Sequence, residues 1–264
     1  MDIRVMTFNL RTLLMKGDGD NFWTNRVEKA AAVIRANDPL LVGTQEGFAS
    51  MLEEVAVHLP GYAWFGWGRD ADQGGETCSI LYKPSELDLV ESGRFWLSEE
   101  PEVPGSKSWD SALPRTCAWG KFRSRRQPER QLVMFNTHLD RRGKQARDQG
   151  IRLIWQKMQS MRKPGCPMIL TGDFNSYPQS DVVQFMRGQL AFDEHTVDMI
   201  DAYSVIAGSP GLTSHGFAGG EDGEPIDYIF VSPDVRVRQV AVDRRKVDEG
   251  YPSDHYPVFA DVIL

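Results

Sequence analysis

The segment Ile169-Leu170-Thr171-Gly172-Asp173-Phe174-Asn175-Ser176 reads as an apolar strand that stops at a glycine, then presents a carboxylate and an amide two residues apart. Alternate strand residues share a face, so Asp173 and Asn175 lie on one side while Phe174 turns into the packing. A carboxylate beside a neutral amide suits a site that activates a water and holds a phosphoryl oxygen. An Asp-x-Asn on its own is also the mark of an Asx-turn, so its weight comes from its company. Asn9 ends Met6-Thr7-Phe8, Glu46 follows Leu40 to Gln45, and His138 ends Leu132 to Thr137. Asp227 opens Tyr228-Ile229-Phe230-Val231, and Asp254-His255 precede Tyr256-Pro257-Val258-Phe259. Polar groups at the ends of several strand-like runs are what a site assembled from several strands looks like.

The chemical types agree with one another. Oxygen ligands suit a hard cation, Mg²⁺ or Mn²⁺, which binds through few carboxylates and keeps several waters. Histidines without cysteine partners suit proton transfer or contact with a phosphoryl oxygen. A cation, a carboxylate and a histidine together are equipment for hydrolysing a phosphate ester. A zinc hydrolase would need a His-rich cluster, which is absent. The three cysteines, Cys78, Cys117 and Cys166, have neither CxxC spacing nor an even count, which argues against a zinc knot and a disulfide framework.

The elements that must position these groups are legible as alternating or apolar runs. Strands are expected at 3–8, 39–43, 62–67, 77–82, 87–95, 116–123, 131–137, 167–172, 226–231, 235–242 and 256–263. Helices are expected at 24–36, stopped by Asn37-Asp38-Pro39, at 48–58, at 143–162, and at 180–187 with Ser180 as N-cap. The longest irregular stretch, 98–115, is expected to border the site, with Trp109 as a candidate wall for the substrate. No repeat or linker divides the 264 residues, so a single domain over 1–264 is expected, an α/β layered sandwich. The apolar fraction of 41% is that of a soluble globular protein, and no segment has the length of a transmembrane helix. The opening residues alternate like a strand rather than a signal peptide, so a cytoplasmic protein is expected.

Thr7-Phe8-Asn9-Leu10, Gly43-Thr44-Gln45-Glu46, Asn136-Thr137-His138-Leu139-Asp140, Gly172-Asp173-Phe174-Asn175-Ser176, Ile226-Asp227-Tyr228-Ile229 and Ser253-Asp254-His255-Tyr256-Pro257-Val258 occur in this order along the chain. In that order they resemble the motifs of the endonuclease/exonuclease/phosphatase superfamily, the DNase I-like hydrolases. The resemblance implies a four-layer α/β sandwich, two mainly antiparallel sheets packed face to face with flanking helices and the site at one edge. It implies Glu46 as principal metal ligand with Asn9 and Asp254 nearby, Asp173 activating water, and Asn175 holding a phosphoryl oxygen. Asp227 would orient His255, and His255 and His138 would face the phosphate. Glu76 is the match for a glutamate that supports the histidine at position 138, and Arg115 for an arginine that contacts phosphate.

Reaction class is more legible than substrate. Net charge is −7, and Ser98 to Gly105 and Gly219 to Glu224 are rich in acidic residues, a rim that would repel a polyanion. The expectation is therefore a metal-dependent phosphoesterase for a small phosphorylated molecule. The runner-up is a DNA or RNA nuclease, since Arg141 and Arg142 directly follow the His138 motif. A non-catalytic binding module on the same fold would lack a ligand such as Glu46, Asp173 or His255, and none is missing. No exposed apolar hairpin or basic amphipathic helix suggests a membrane substrate. His215 is read as structural, and His58 and His195 as surface residues.

Overall fold

A computed structural model describes residues 1–192 and 196–264, so the expectation for His195 lies outside the described residues. The strands form two six-stranded sheets. The first has the order β11 (Arg236–Val242), β12 (Val258–Ile263), β1 (Asp2–Asn9), β2 (Leu41–Gly47), β4 (Thr77–Tyr82), β3 (Ala63–Phe65). The second runs β5 (Leu87–Trp96), β6 (Thr116–Ser124), β7 (Gln131–His138), β8 (Met168–Asp173), β10 (Asp227–Val231), β9 (Ile200–Asp201). Helices α1 (Val27–Asn37), α2 (Ala49–His58), α3 (Lys144–Met161) and α4 (Asp181–Met186) flank them.

Each sheet holds one parallel pair among antiparallel ones, β1 with β2 and β7 with β8. A parallel pair requires a crossover, and α1 and α3 supply it. The two halves share a plan: β1-α1-β2-α2-β3-β4 in one matches β7-α3-β8-α4-β9-β10 in the other, with the same lateral order. No sequence repeat announces this duplication.

The central strands are covered on both faces, so they read as apolar runs rather than strict alternations. Every residue of β8 and β10 is buried. The larger core lies between the sheets and under α3 and α4; a smaller one, with Phe8, Ile34, Val42 and Leu52, packs α1 and α2 on the first sheet. The described element ends differ from expectation in few places. A 3-10 turn at Trp23–Asn25 precedes α1, and Asp38 ends that helix in the left-handed region at φ 49°. Ser180 stands at the N-cap of α4 but turns its hydroxyl to Tyr177 O at 2.7 Å instead of capping. Strand β9, two residues long, carried no sequence signal of its own.

Near the site the interface between the sheets is polar. Asn136, fully buried on β7, donates to Thr44 O at 2.8 Å and Ser79 O at 3.0 Å across the sandwich. Its Oδ1 accepts from Gln45 Nε2 at 2.7 Å and Thr171 Oγ1 at 3.1 Å. Gly43 leaves room for this network, because a Cβ there would sit 2.2 Å from Thr171 Oγ1 and 2.5 Å from Asn136 Oδ1. Leaving buried polar groups without partners costs ~1–3 kcal/mol each. Asn136→Leu strips several at once, so urea unfolding should show a loss of at least ~3 kcal/mol. A loss under ~1 kcal/mol would mean the network contributes little to holding the sheets together.

Candidate active site

The parallel strands β1, β2, β7 and β8 end at one edge of the sandwich, and the residues singled out from the sequence stand at or just beyond those ends. Glu46, Asp173, Asn175, His138, Asp254 and His255 line one cavity of about 880 Å³, with Arg115 and Glu76 on its wall. Asn9 and Asp227 are buried behind it.

Glu46 and Asn175 leave their strands through left-handed backbone at φ 62° and 47°, and Arg11 does so at 58°. Such conformations are costly for non-glycine residues and persist where surrounding contacts enforce them. Asn9 Nδ2 donates at 3.0 Å to both Glu46 Oε1 and Asp173 Oδ2, tying the two carboxylates together. Glu46 Oε2 accepts from Thr12 N at 2.9 Å. Burial raises the Glu46 carboxyl, but the Asn9 amide, the charge on His255 and the Thr12 N–H outweigh it and hold the group below its ordinary value.

Two histidines face Asp173 Oδ2, His138 Nε2 at 3.4 Å and His255 Nε2 at 3.9 Å. His255 Nδ1 donates to Asp227 Oδ2 at 2.9 Å. Burial opposes charge on this ring, yet Asp227, Asp173 and Asp254 overcome it and push His255 up to about 10. Burial and the charge of Asp227 push Asp173 up to about 7. His138 goes the other way: burial and the nearby Arg115 and Arg69 hold it neutral. The site thus pairs a charged imidazole with a neutral one about a single carboxylate.

Several details differ from what the resemblance implied. Glu76 pairs with Arg69 at 2.5 Å and has no hydrogen bond to His138 among the described residues; both line a small recess beside the main cavity. His138 Nε2 instead meets Asn175 Nδ2 at 2.9 Å, so the Asn175 amide is engaged with His138 and with Leu139 O, also at 2.9 Å. Asn9 turns its oxygen to Arg11 N at 2.9 Å and its amide nitrogen to the two carboxylates. Asp254 is paired with Arg11 at 3.1 Å. Trp109 is not on the cavity wall; the long loop reaches it through Ala112 and Leu113, held by Asp140 Oδ2, which accepts from Ala112 N at 3.0 Å. Of the two acidic segments, only 219–224 reaches the cavity, through Asp222 and Glu224.

A cation is accommodated by the donors present. Glu46, His138 and Asp173 bring ligand atoms within 4.8 Å of one another, as do Asp173, Asp227 and His255. Each Glu46 oxygen accepts one hydrogen bond and keeps a lone pair. These cysteine-free sets, two carboxylates and one imidazole in each, fit a hard divalent ion held chiefly through oxygen.

Sequence reasoning missed Thr213 and Arg26. Thr213 is fully buried; its hydroxyl accepts from Ile226 N and Asp227 N at 3.0 and 3.2 Å, and its carbonyl from Tyr256 N at 2.7 Å. It thereby holds Asp227 and His255 in register. Arg26, 1% exposed, donates to Leu10 O, Arg11 O, Asn21 O and Pro252 O, clamping the backbone just after Asn9 to the backbone just before Asp254. Neither belongs to a short motif. His215 is buried and stacked on Tyr256 at 3.9 Å between ring centres.

A family model described as the endonuclease/exonuclease/phosphatase family matches residues 6–255. The chain belongs to this family. Its fold is shared with a mannosyl-6-phosphatase from Bacteroides thetaiotaomicron, 34% identical, covering 99% of this chain and 100% of that one at a TM-score of 0.88. At 16% identity, D. rerio TDP2 complexed with single strand DNA product covers 100% of this chain and 99% of that one at a TM-score of 0.76, a likeness of fold. Among curated relatives, carbon catabolite repressor protein 4 homolog 4 of Arabidopsis thaliana is 25% identical over 76% of this chain and 61% of its own length. Protein angel of Drosophila melanogaster is 27% identical over 43% and 31% respectively, so the chain spans less than two thirds of both curated relatives. Family members are phosphoester hydrolases. No helix among the described residues is long and apolar enough to cross a membrane.

The His255 contacts predict a pH dependence of stability. A histidine raised from 6.5 to about 10 adds stability that is fully present below pH 6.5 and is lost as pH rises through about 10. Metal-free protein should therefore melt at progressively lower temperature over that window, and Asp227→Asn should flatten most of the decline. Equal declines in both proteins would show that the Asp227–His255 pair is not its source.

Proposed function

We propose that this chain is a divalent-cation-dependent phosphomonoesterase acting on a small phosphorylated molecule. One observation carries the choice of monoester: the cavity has unspent positive charge on one wall. Arg115, 7% exposed, is ion-paired with Asp140 (Nε to Oδ2, 3.7 Å) but donates no side-chain hydrogen bond among the described residues, so its N–H groups are left for a ligand. Arg141 and Arg142 line the same cavity, and their side chains form neither a hydrogen bond nor an ion pair among the described residues, so the unpaired charge is theirs. A phosphomonoester carries roughly −2 at pH 7, a diester −1, so a wall with surplus guanidinium groups favours the monoester. The mannosyl-6-phosphatase, similar over its full length, supports a small ester.

In this proposal Glu46 would hold Mg²⁺ or Mn²⁺, which would supply charge neutralisation at the phosphoryl group. Asp173 orients a water and accepts its proton. His255, kept charged by Asp227, donates from Nε2 to a phosphoryl oxygen; Arg115 donates to another. Asn175 and His138, bonded to each other, fix the opposite side. Asn9 holds Glu46 and Asp173 at their spacing, and Asp254 steadies the Arg11 turn. The expected location remains cytoplasmic.

Purified protein with Mg²⁺ or Mn²⁺ should release inorganic phosphate from phosphorylated sugars, nucleotides or inositols. Nicking of plasmid, or shortening of an abasic duplex or single-stranded RNA, lost in His255→Ala, would make it a nuclease instead. Asp173→Ala and His255→Ala should each cut turnover by about 10²–10⁴-fold without unfolding the protein. Glu46→Gln should raise the Mg²⁺ concentration needed for half-maximal rate; an unchanged metal titration would remove Glu46 from the ligand set.

A further inference from the structure

A second part of the cavity lining is acidic and likewise carries unpaired charge. Asp222 and Glu224 line the cavity and are exposed, and neither forms an ion pair or hydrogen bond among the described residues. Their loop is nonetheless fixed. His215 Nδ1 accepts from Gly219 N at 3.3 Å, Tyr256 Oη donates to Gly220 O at 3.1 Å, and Leu212 N donates to Glu221 O at 3.1 Å. Gly219 is required at its position: its φ is 80°, and a Cβ would sit 2.3 Å from Tyr251 Oη. Unpaired guanidinium groups and unpaired carboxylates therefore share one cavity without reaching each other. Oppositely charged groups held apart on a pinned frame leave space for a ligand that satisfies both walls.

The third element is Tyr177. It is 59% exposed, it lies two residues past Asn175, and it is the only Phe, Tyr or Trp on the cavity wall among the described residues. A ring left bare at the mouth of a polar cavity offers a flat apolar face beside hydrogen-bonding groups. A carboxylate accepts hydrogen bonds and donates none. The complementary leaving group is neutral, donates through hydroxyls, and has one apolar face, which is the make-up of a sugar ring. A quaternary ammonium group is matched less well, because it is held by a cage of several aromatic rings and one is present. A nucleic acid strand would bring phosphates against the carboxylates.

We infer that Tyr177, Asp222 and Glu224 form a leaving-group subsite that selects a phosphorylated sugar, the ring lying on Tyr177 with its hydroxyls donating to the two carboxylates. This rests on the phosphomonoesterase proposal above, and it assigns specificity to residues that take no part in the chemical step.

The test compares kcat/KM for a panel of hexose 6-phosphates, phosphocholine and methyl phosphate, which has the phosphoryl group but no ring. The proteins are wild type, Tyr177→Ala and the isosteric double variant Asp222→Asn/Glu224→Gln. Wild type should prefer at least one hexose 6-phosphate over methyl phosphate, and both variants should lose about tenfold or more on it while keeping their rate on methyl phosphate. Equal losses on both substrates, or no loss on either, would overturn the subsite. Phosphocholine as preferred substrate, with the double variant selectively impaired on it, would overturn the sugar assignment. No phosphate release by wild type from any of the three would count against the phosphomonoesterase proposal itself, which separates the two failures.

Discussion

Apolar packing between two sheets is close but non-directional, whereas catalysis needs groups from both sheets fixed to fractions of an ångström. Here the buried amide of Asn136 resolves that conflict. It reaches from β7 to the backbone of β2 and β4 and is met by Gln45 and Thr171. A hydrogen-bond network has direction, so it sets register where apolar packing alone does not. Glu46 lies one residue beyond Gln45, His138 two beyond Asn136 and Asp173 two beyond Thr171. The positions of the site residues follow from this lock. Arg26 and Thr213 extend the same strategy to the loops.

The duplicated topology explains why the site lies where it does. Each half contributes a parallel pair, and both pairs end at the same edge. Asn9 and His138 close the first strand of each pair, while Glu46 and Asp173 stand at the end of the second. The centre is thus an approximate pairing of corresponding strand ends on which different side chains have been placed. One half supplies the carboxylate held low, the other the carboxylate held high.

Much of this was legible in the sequence because strand ends carry short, recognisable runs. Alternation and apolar runs gave the long strands, and the motifs gave the polar groups that follow them. What escaped has specific causes. The partner of Glu76 is Arg69, seven residues earlier across a tight turn, and the sequence says nothing of which neighbour a carboxylate prefers. The direction of the Asn9 amide depends on the Arg11 N–H, which is aimed by a left-handed backbone unpredictable from residue type. Thr213 acts through one hydroxyl and one carbonyl in a loop without periodicity. Strand β9 exists because β10 offers it an edge, a tertiary effect. The duplication is invisible because equivalent elements share order and not residues.

The left-handed backbone at Glu46, Asn175 and Arg11 bears on how such a protein can evolve. Glycine adopts that conformation without penalty, so these are positions where selection for thermal robustness alone would welcome a residue with no side chain. The same change would delete a carboxylate, an amide or a guanidinium from the cavity. Lineages that harden the scaffold are thereby pulled toward losing the chemistry, and those that retain it must find their robustness elsewhere.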